Sequence, residues 1–219
     1  MLSMLFRVKE YLSVKHSLQV VAFDCDGVMF DSQEANRAYY NHVLGHFKLP
    51  AMTPEQLAYV HMHTVDESLA FLIRDPATCE AAHAYRKQLG YLPFLKYMQM
   101  EPGLVPLLKR LRPHFKTAVA TNRTDTMAHV LAENHIDHLF DLVVCALDVH
   151  FPKPHPEALI KVVDHFQVSP AQAIYVGDSE VDQMAAHAAG IPFVAYRNPS
   201  LTARHHIRQL SELENLLDL

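Results

Sequence analysis

The chain has 219 residues, of which 50% are hydrophobic, enough for one large core with an insert or for two domains. Its formal charge of −5, with acidic and basic residues interspersed and no long basic run, argues against nucleic acid as a partner. Three widely spaced cysteines, Cys25, Cys79 and Cys145, argue against a disulfide framework and fit a reducing, cytoplasmic setting.

Residues 1–15 are apolar-rich but interrupted by Arg7, Lys9 and Glu10, without the basic start, long apolar run and small-residue cleavage site of a signal peptide. No stretch approaches the ~20 apolar residues that span a bilayer. We expect residues 1–18 to be an amphipathic helical extension that packs on the body or on a second subunit, with monomer and homodimer both open and no membrane partner.

The apolar run Val20-Val21-Ala22-Phe23 reads as a buried strand that ends in two carboxylates, Asp24 and Asp26, one residue apart. Cys25 between them reads as a small apolar filler facing the core. Residues i and i+2 of a strand point the same way, and Gly27 lets the chain turn beyond them, so the two carboxylates can converge. Like charges that close raise each other's pKa unless a cation intervenes. One carboxylate can then act as nucleophile or metal ligand while the other handles protons.

After Asp31-Ser32, residues 33–102 show helical spacing and no strand-like run. Helices are expected over 35–45, from the Thr53-Pro54-Glu55-Gln56 start, over 66–73 and over 77–89, closed by Pro102-Gly103. From residue 104 helices (105–111, 125–134, 156–166, 181–189) alternate with strands (117–120, 142–145, 173–176, 192–195). That alternation predicts an α/β fold: a Rossmann-like parallel sheet core, residues 19–32 and 103–219, with an inserted α-helical cap, residues 33–102.

In open parallel sheets ligands bind beyond the carboxyl ends of the strands. Asp24 and Asp26 follow the first strand, Thr121-Asn122-Arg123 the second, Phe151-Pro152-Lys153-Pro154 the third, and Gly177-Asp178-Ser179-Glu180-Val181-Asp182 the fourth. Together they suit phosphoryl transfer. Asp24 can attack phosphorus, Asp26 can protonate the leaving oxygen and then activate water, and Lys153 and Thr121 can hold phosphoryl oxygens. Mg²⁺ prefers oxygen ligands, and Asp24 and Asp178 can supply carboxylates for it.

These four segments, in this order and each at a strand end, resemble the haloacid dehalogenase superfamily, and the helical insert after the first resembles its phosphoglycolate-phosphatase-like and β-phosphoglucomutase-like branch. The resemblance spans residues 19–196, insert included. It implies Asp24 as nucleophile and Asp26 as acid/base that also lends a backbone carbonyl to Mg²⁺. It further implies Thr121, Asn122 and Lys153 around the phosphoryl group, Asp178 on the metal, and Asp182 and Ser179 behind it. An aspartate at position 26 favours phosphate esters, since the dehalogenases and phosphonate hydrolases of the superfamily lack it. The implied activity is hydrolysis of a small phosphorylated metabolite, with a phosphosugar mutase and a non-catalytic phosphate-binding regulator as alternatives.

The chain's 16 histidines form no metal pattern with nearby Cys or His. His61 and His63 in the insert, and Arg123 at the expected cleft mouth, are the candidates for gripping the rest of a substrate.

Overall fold

A computed structural model describes residues 18–219; the expected helical extension over 1–18 lies outside the described residues save its last residue. The first strand, β1 (Val20–Phe23), is fully buried. Its side chains alternate between two apolar layers, Val21 and Phe23 in one, Val20 and Ala22 in the other. A two-residue strand β2 (Phe30–Asp31) leads into four helices, α1 (Gln33–His46), α2 (Pro54–Met62), α3 (Val65–Leu72) and α4 (Pro76–Leu89). A 3₁₀ segment (Leu92–Tyr97) and strand β3 (Gln99–Met100) complete the excursion. The core then runs α5 (Leu104–Leu111), β4 (Lys116–Ala120), α6 (Met127–Glu133), β5 (Leu142–Val144), α7 (Glu157–Phe166), β6 (Ala173–Gly177), α8 (Glu180–Ala189), β7 (Phe193–Tyr196), β8 (His205–Ile207) and α9 (Glu212–Leu217).

The described residues form a six-stranded parallel sheet in the order β5-β4-β1-β6-β7-β8. The chain builds outward from β1 through β4 to β5, then returns to add β6 on the other side of β1. That reversal puts a topological switch point at the carboxyl end of β1, where open α/β sheets bind ligands. One face of the sheet is covered by α5, α6 and α9, through Leu104, Leu107, Leu108, Leu111, Met127, Val130 and Leu213. The other is covered by α7 and α8 over a floor rich in small residues, Ala22, Ala118, Ala120 and Ala195, which lets the helices approach closely.

The helices between β2 and β3 have an apolar centre of their own, including Tyr39, Tyr40, Val43, Leu57, Leu69 and Phe94. The start of α2 is capped as the sequence predicts. The Thr53 hydroxyl accepts from Gln56 N at 3.2 Å while Thr53 N donates to Gln56 Oε1 at 2.8 Å. Thr64 and Glu67 repeat the device at α3. Phe30 and Asp31 pair antiparallel with Met100 and Gln99, so the two connections into and out of the helical block are tied to each other.

Four elements depart from the sequence reading. Strands β2 and β3 are two residues long, too short for any periodicity to reveal, and β3 lies in the segment expected to hold no strand. Strand β8 reads His205-His206-Ile207 and carries little apolar signal. Helix α9 is six residues long and follows no strong breaker.

Candidate active site

The carboxyl ends of β1, β4, β5 and β6 bring Asp24, Asp26, Thr121, Asn122, Arg123, Lys153, Asp178 and Ser179 to one cavity. Residues from the helical block, among them Asn36, Tyr39, His61, His63, Arg86 and Tyr91, close it from above. The cavity has a volume of about 100 Å³.

Lys153 is the centre of the floor. Its side chain is 2% exposed, and Nζ donates to Asp24 Oδ1 at 2.7 Å, Asp182 Oδ1 at 2.6 Å and the Tyr175 hydroxyl at 2.8 Å. All three ammonium donors are therefore used. Burial alone would lower its pKa, but Asp182 and Asp24 outweigh burial and hold the lysine charged. Asp182 is fully buried. Its Oδ1 accepts from Lys153 and Tyr175, and its Oδ2 from Ser179 Oγ at 2.5 Å and Ser179 N at 3.1 Å. Burial pushes Asp182 up, and Lys153, Ser179 and Tyr175 together hold it below the usual carboxylate range. Ser179 also caps α8, accepting from Asp182 N at 3.3 Å. Tyr175 was not anticipated: a tyrosine inside an apolar strand reads as core, and only tertiary structure shows its hydroxyl meeting Lys153, Asp182 and Ala120 O.

Asp24 and Asp178 differ from Asp182. Burial, then Asp182, pushes Asp24 up to about 7 despite Lys153. Burial, then Asp182 and Asp24, raises Asp178 well above the carboxylate range. One ligand oxygen from each of Asp24, Asp178 and Asp182 lies within 4.8 Å of the others. The close approach is built in by glycine. A Cβ at Gly27, whose φ is +81°, would sit 2.0 Å from Asp178 Oδ2, and one at Gly177 would sit 2.5 Å from Asp182 Cβ. The trio is an all-oxygen, carboxylate-rich cluster with more negative charge than Lys153 neutralises. That chemistry fits a hard divalent cation such as Mg²⁺, with Asp24 and Asp178 as the carboxylates whose charge is least compensated.

Asp26 is held apart from this trio. Arg123 grips it with two parallel bonds, Nε to Oδ2 at 2.8 Å and Nη2 to Oδ1 at 2.7 Å, and the buried Ser32 hydroxyl donates to Oδ1 as well. Burial raises Asp26, but the Arg123 charge and its bonds outweigh burial and leave the pKa below the usual range. Arg123 therefore does not face the cleft mouth as the sequence suggested. It turns inward because a buried carboxylate at the end of β1 needs a cation, and the end of the neighbouring β4 supplies one. Its guanidinium also lies 5.1 Å from the ring centroid of Tyr91.

Asn122 lines the same cavity. Its side-chain amide donates to Lys153 O at 2.9 Å and Met62 O at 3.2 Å, and accepts from Lys153 N at 2.9 Å. The side chain thus latches the Lys153 loop and the end of α2 to the β4 loop instead of pointing at the carboxylates. Thr121 is buried on the cavity wall, with its hydroxyl accepting from Arg123 N at 3.2 Å. Both candidate histidines line the roof. His61 Nδ1 lies 3.3 Å from Asn36 Nδ2, while His63 stacks on Tyr59 and donates from Nδ1 to Tyr59 O at 2.8 Å. Asn36 and Tyr91 were missed from sequence; the Tyr91 hydroxyl donates to Asn36 Oδ1 at 2.7 Å.

The haloacid dehalogenase-like hydrolase family model matches residues 21–196. The chain belongs to the haloacid dehalogenase-like hydrolases. A phosphoglycolate phosphatase of Xanthomonas campestris is 31% identical over 186 residues, covering 81% of this chain and 82% of the relative. A fructose-1-phosphate phosphatase of Escherichia coli is 27% identical over 177 residues, covering 80% and 94%. Among solved structures, a haloacid dehalogenase superfamily hydrolase of subfamily IA from Geobacter sulfurreducens superposes with a TM-score of 0.76 at 39% identity, covering 92% of this chain and 97% of that one. The chain sets four loops that carry charged residues at one rim of its parallel sheet. Among its described residues no helix is long and apolar enough to cross a membrane.

Proposed function

We propose that this hydrolase is a Mg²⁺-dependent phosphatase acting in the cytoplasm on a small phosphate monoester through an aspartyl-phosphate on Asp24. The observation that carries the reading is the inequality of the two aspartates at the end of β1. Asp24 lies in the carboxylate trio beside Lys153, while Asp26, two residues on, is separately held by Arg123 and Ser32.

Asp24, Asp178 and the Asp26 backbone carbonyl would hold Mg²⁺, which supplies neutralising charge for the phosphoryl oxygens when bound. Lys153 keeps Asp24 oriented and adds a fixed positive charge, and Thr121 offers a hydroxyl to a non-bridging oxygen. Asp24 attacks phosphorus, the bond from phosphorus to the ester oxygen breaks, and Asp26, having picked up a proton, passes it to the departing oxygen. Asp26 then takes a proton from water as that water attacks the aspartyl phosphate, releasing phosphate and restoring the Asp24 carboxylate. Asp26 is held by the Arg123 fork in this structure, so taking up a proton weakens that ion pair. Asp182, with both oxygens already bonded, acts as the buried anchor of Lys153 and not as a ligand.

The cavity's size and its roof of cap residues support a small substrate. About 10–15 Å³ of such volume accommodates one water, so about 100 Å³ suits a compact metabolite. The test is phosphate release from a panel of small esters with Mg²⁺, with chelator, and with Asp24→Asn. We expect Mg²⁺-dependent release that falls by about 10³-fold or more in Asp24→Asn, since the nucleophile itself is lost. Interconversion of sugar phosphates without net release would mark a mutase instead, and phosphate binding with no turnover would mark a regulator.

A further inference from the structure

We propose that Asn198, on the loop that leaves β7, is a positioning residue for Asp178, and that this loop sets how tightly the site holds its divalent cation. The inference rests on the phosphatase reading and deepens its metal site. β7 is the neighbour of β6 in the sheet, with Gly177 paired to Ala195, so the loop after β7 emerges at the same rim beside Asp178. What it contributes is one half of a main-chain clamp. The Asp178 N–H donates to Asp182 Oδ2 at 3.3 Å, and the Asp178 carbonyl accepts from Asn198 Nδ2 at 2.8 Å. Asp182 thus holds the amide side of the residue and Asn198 its carbonyl side. The Asp178 carboxylate lies against Gly27, with an oxygen within 4.8 Å of one from Asp24. A shift of the Asp178 main chain would carry that carboxylate away from Asp24 or into the Gly27 backbone.

The loop is restrained at every step that aims this donor. Asn198 Oδ1 accepts from Ser200 N at 3.2 Å and from Ser200 Oγ at 2.6 Å. A backbone N–H can only donate, so the atom facing it is the amide oxygen, and the NH₂ is left to face Asp178. The turn that delivers Asn198 is held as well. Arg197 sits at φ +51°, a conformation that costs a non-glycine residue free energy and persists where its surroundings enforce it. Here Arg197 N donates to Ile207 O at 2.8 Å, Nε to Arg208 O at 3.1 Å and Nη2 to Glu101 Oε1 at 2.8 Å. Its guanidinium also lies 4.8 Å from the ring centroid of Tyr196. A turn restrained in this way presents the Asn198 amide in one place. Groups that orient a metal ligand tune affinity for the metal without touching it.

Metal binding by the full chain tests this without relying on turnover. Mn²⁺ is the probe, since it shares the preference of Mg²⁺ for carboxylate, carbonyl and water oxygens, and the paramagnetic signal of the free ion counts what is unbound. Mg²⁺ is then added as competitor. The wild type is expected to bind Mn²⁺ that Mg²⁺ displaces, and Asn198→Ala to bind both ions about 10- to 100-fold more weakly. Ser200→Ala, which frees the amide to turn, should weaken binding by about 2- to 10-fold. Melting curves separate positioning from packing. Asn198→Ala should melt near the wild type in chelator and gain less from a given Mg²⁺ concentration. Its turnover of an ester that the wild type hydrolyses should recover as Mg²⁺ is raised, which a packing defect would not produce. Equal affinity for both ions in wild type and Asn198→Ala would overturn the inference while leaving the phosphatase reading intact. If Asn198→Ala does not fold, the milder Ser200→Ala decides: weaker binding supports the clamp and unchanged binding overturns it. A wild type that binds neither ion would overturn the metal reading, and this inference with it.

Discussion

The floor and the roof of the cavity are built on opposite principles. On the floor the cations and the carboxylates they hold are tightly paired: Lys153 makes three bonds, Asp182 uses both oxygens, and Arg123 closes on Asp26 with two parallel bonds. On the roof, polar side chains are joined by single bonds, His61 to Asn36 and Asn36 to Tyr91, and Arg86 keeps a buried donor free. A network that is saturated by its own members holds geometry and chemistry constant. One that is not saturated is finished by a ligand. On the proposed function, the floor would carry the reaction and the roof the choice of substrate.

Three substitutions break or sharpen this contrast. The largest effect is expected on the floor. Lys153→Met leaves Asp24 and Asp182 buried without their cation, which should cost about 3–5 kcal/mol in denaturant unfolding and abolish turnover together. A loss below about 1 kcal/mol would mean the floor is not held by that charge. On the roof, Asn36→Ala removes one bond to Tyr91 and one near His61. It should cost only about 1–2 kcal/mol and raise KM more than it lowers kcat. Comparable losses in both kinetic constants would show that the roof reaches into the chemistry.

The smallest effect belongs to a control at the opposite edge of the sheet. Asp141 accepts from Thr117 N at 2.9 Å beside Lys116 and Arg112. Burial raises its pKa, but the Thr117 bond and the two cations outweigh burial and lower it. A carboxyl with a depressed folded pKa contributes stability that is fully present above its unfolded pKa of about 4 and is lost as pH falls through the lower folded value. Asp141→Asn should thus cost about 1 kcal/mol at pH 7, with the gap to the wild type closing in acid and turnover unaffected. A gap that widens in acid would reverse the assigned sign.

The same division decides what could be read from sequence. The floor was legible because each of its loops follows an apolar run, and the topology of parallel sheets sends all such loops to one rim. Asp24, Lys153, Asp178 and Asp182 needed no knowledge of side-chain direction to be grouped. Arg123 shows where that ends: its partner Asp26 lies 97 residues away, and only the pairing of β1 with β4 aims one at the other. Tyr175 was hidden because a strand tyrosine is counted as core until its hydroxyl is placed. The bonds of the Asn122 amide to the Lys153 loop and Met62 leave no trace in the sequence either. Arg86, Asn36 and Tyr91 come from separate helices and turns of the cap, and no local pattern links them. Residues that face one another across helices leave no spacing signal, so the roof waited for the structure.

The central claim is that Asp24 carries the phosphoryl group, and trapping that adduct tests it most directly. Enzyme mixed with Mg²⁺ and a phosphate-labelled ester it hydrolyses, quenched in acid before steady state and digested, should yield a labelled peptide containing Asp24. The label should be lost to hydroxylamine and be absent from Asp24→Asn. Turnover with no labelled peptide at any quench time, or a label on a different residue, would contradict it.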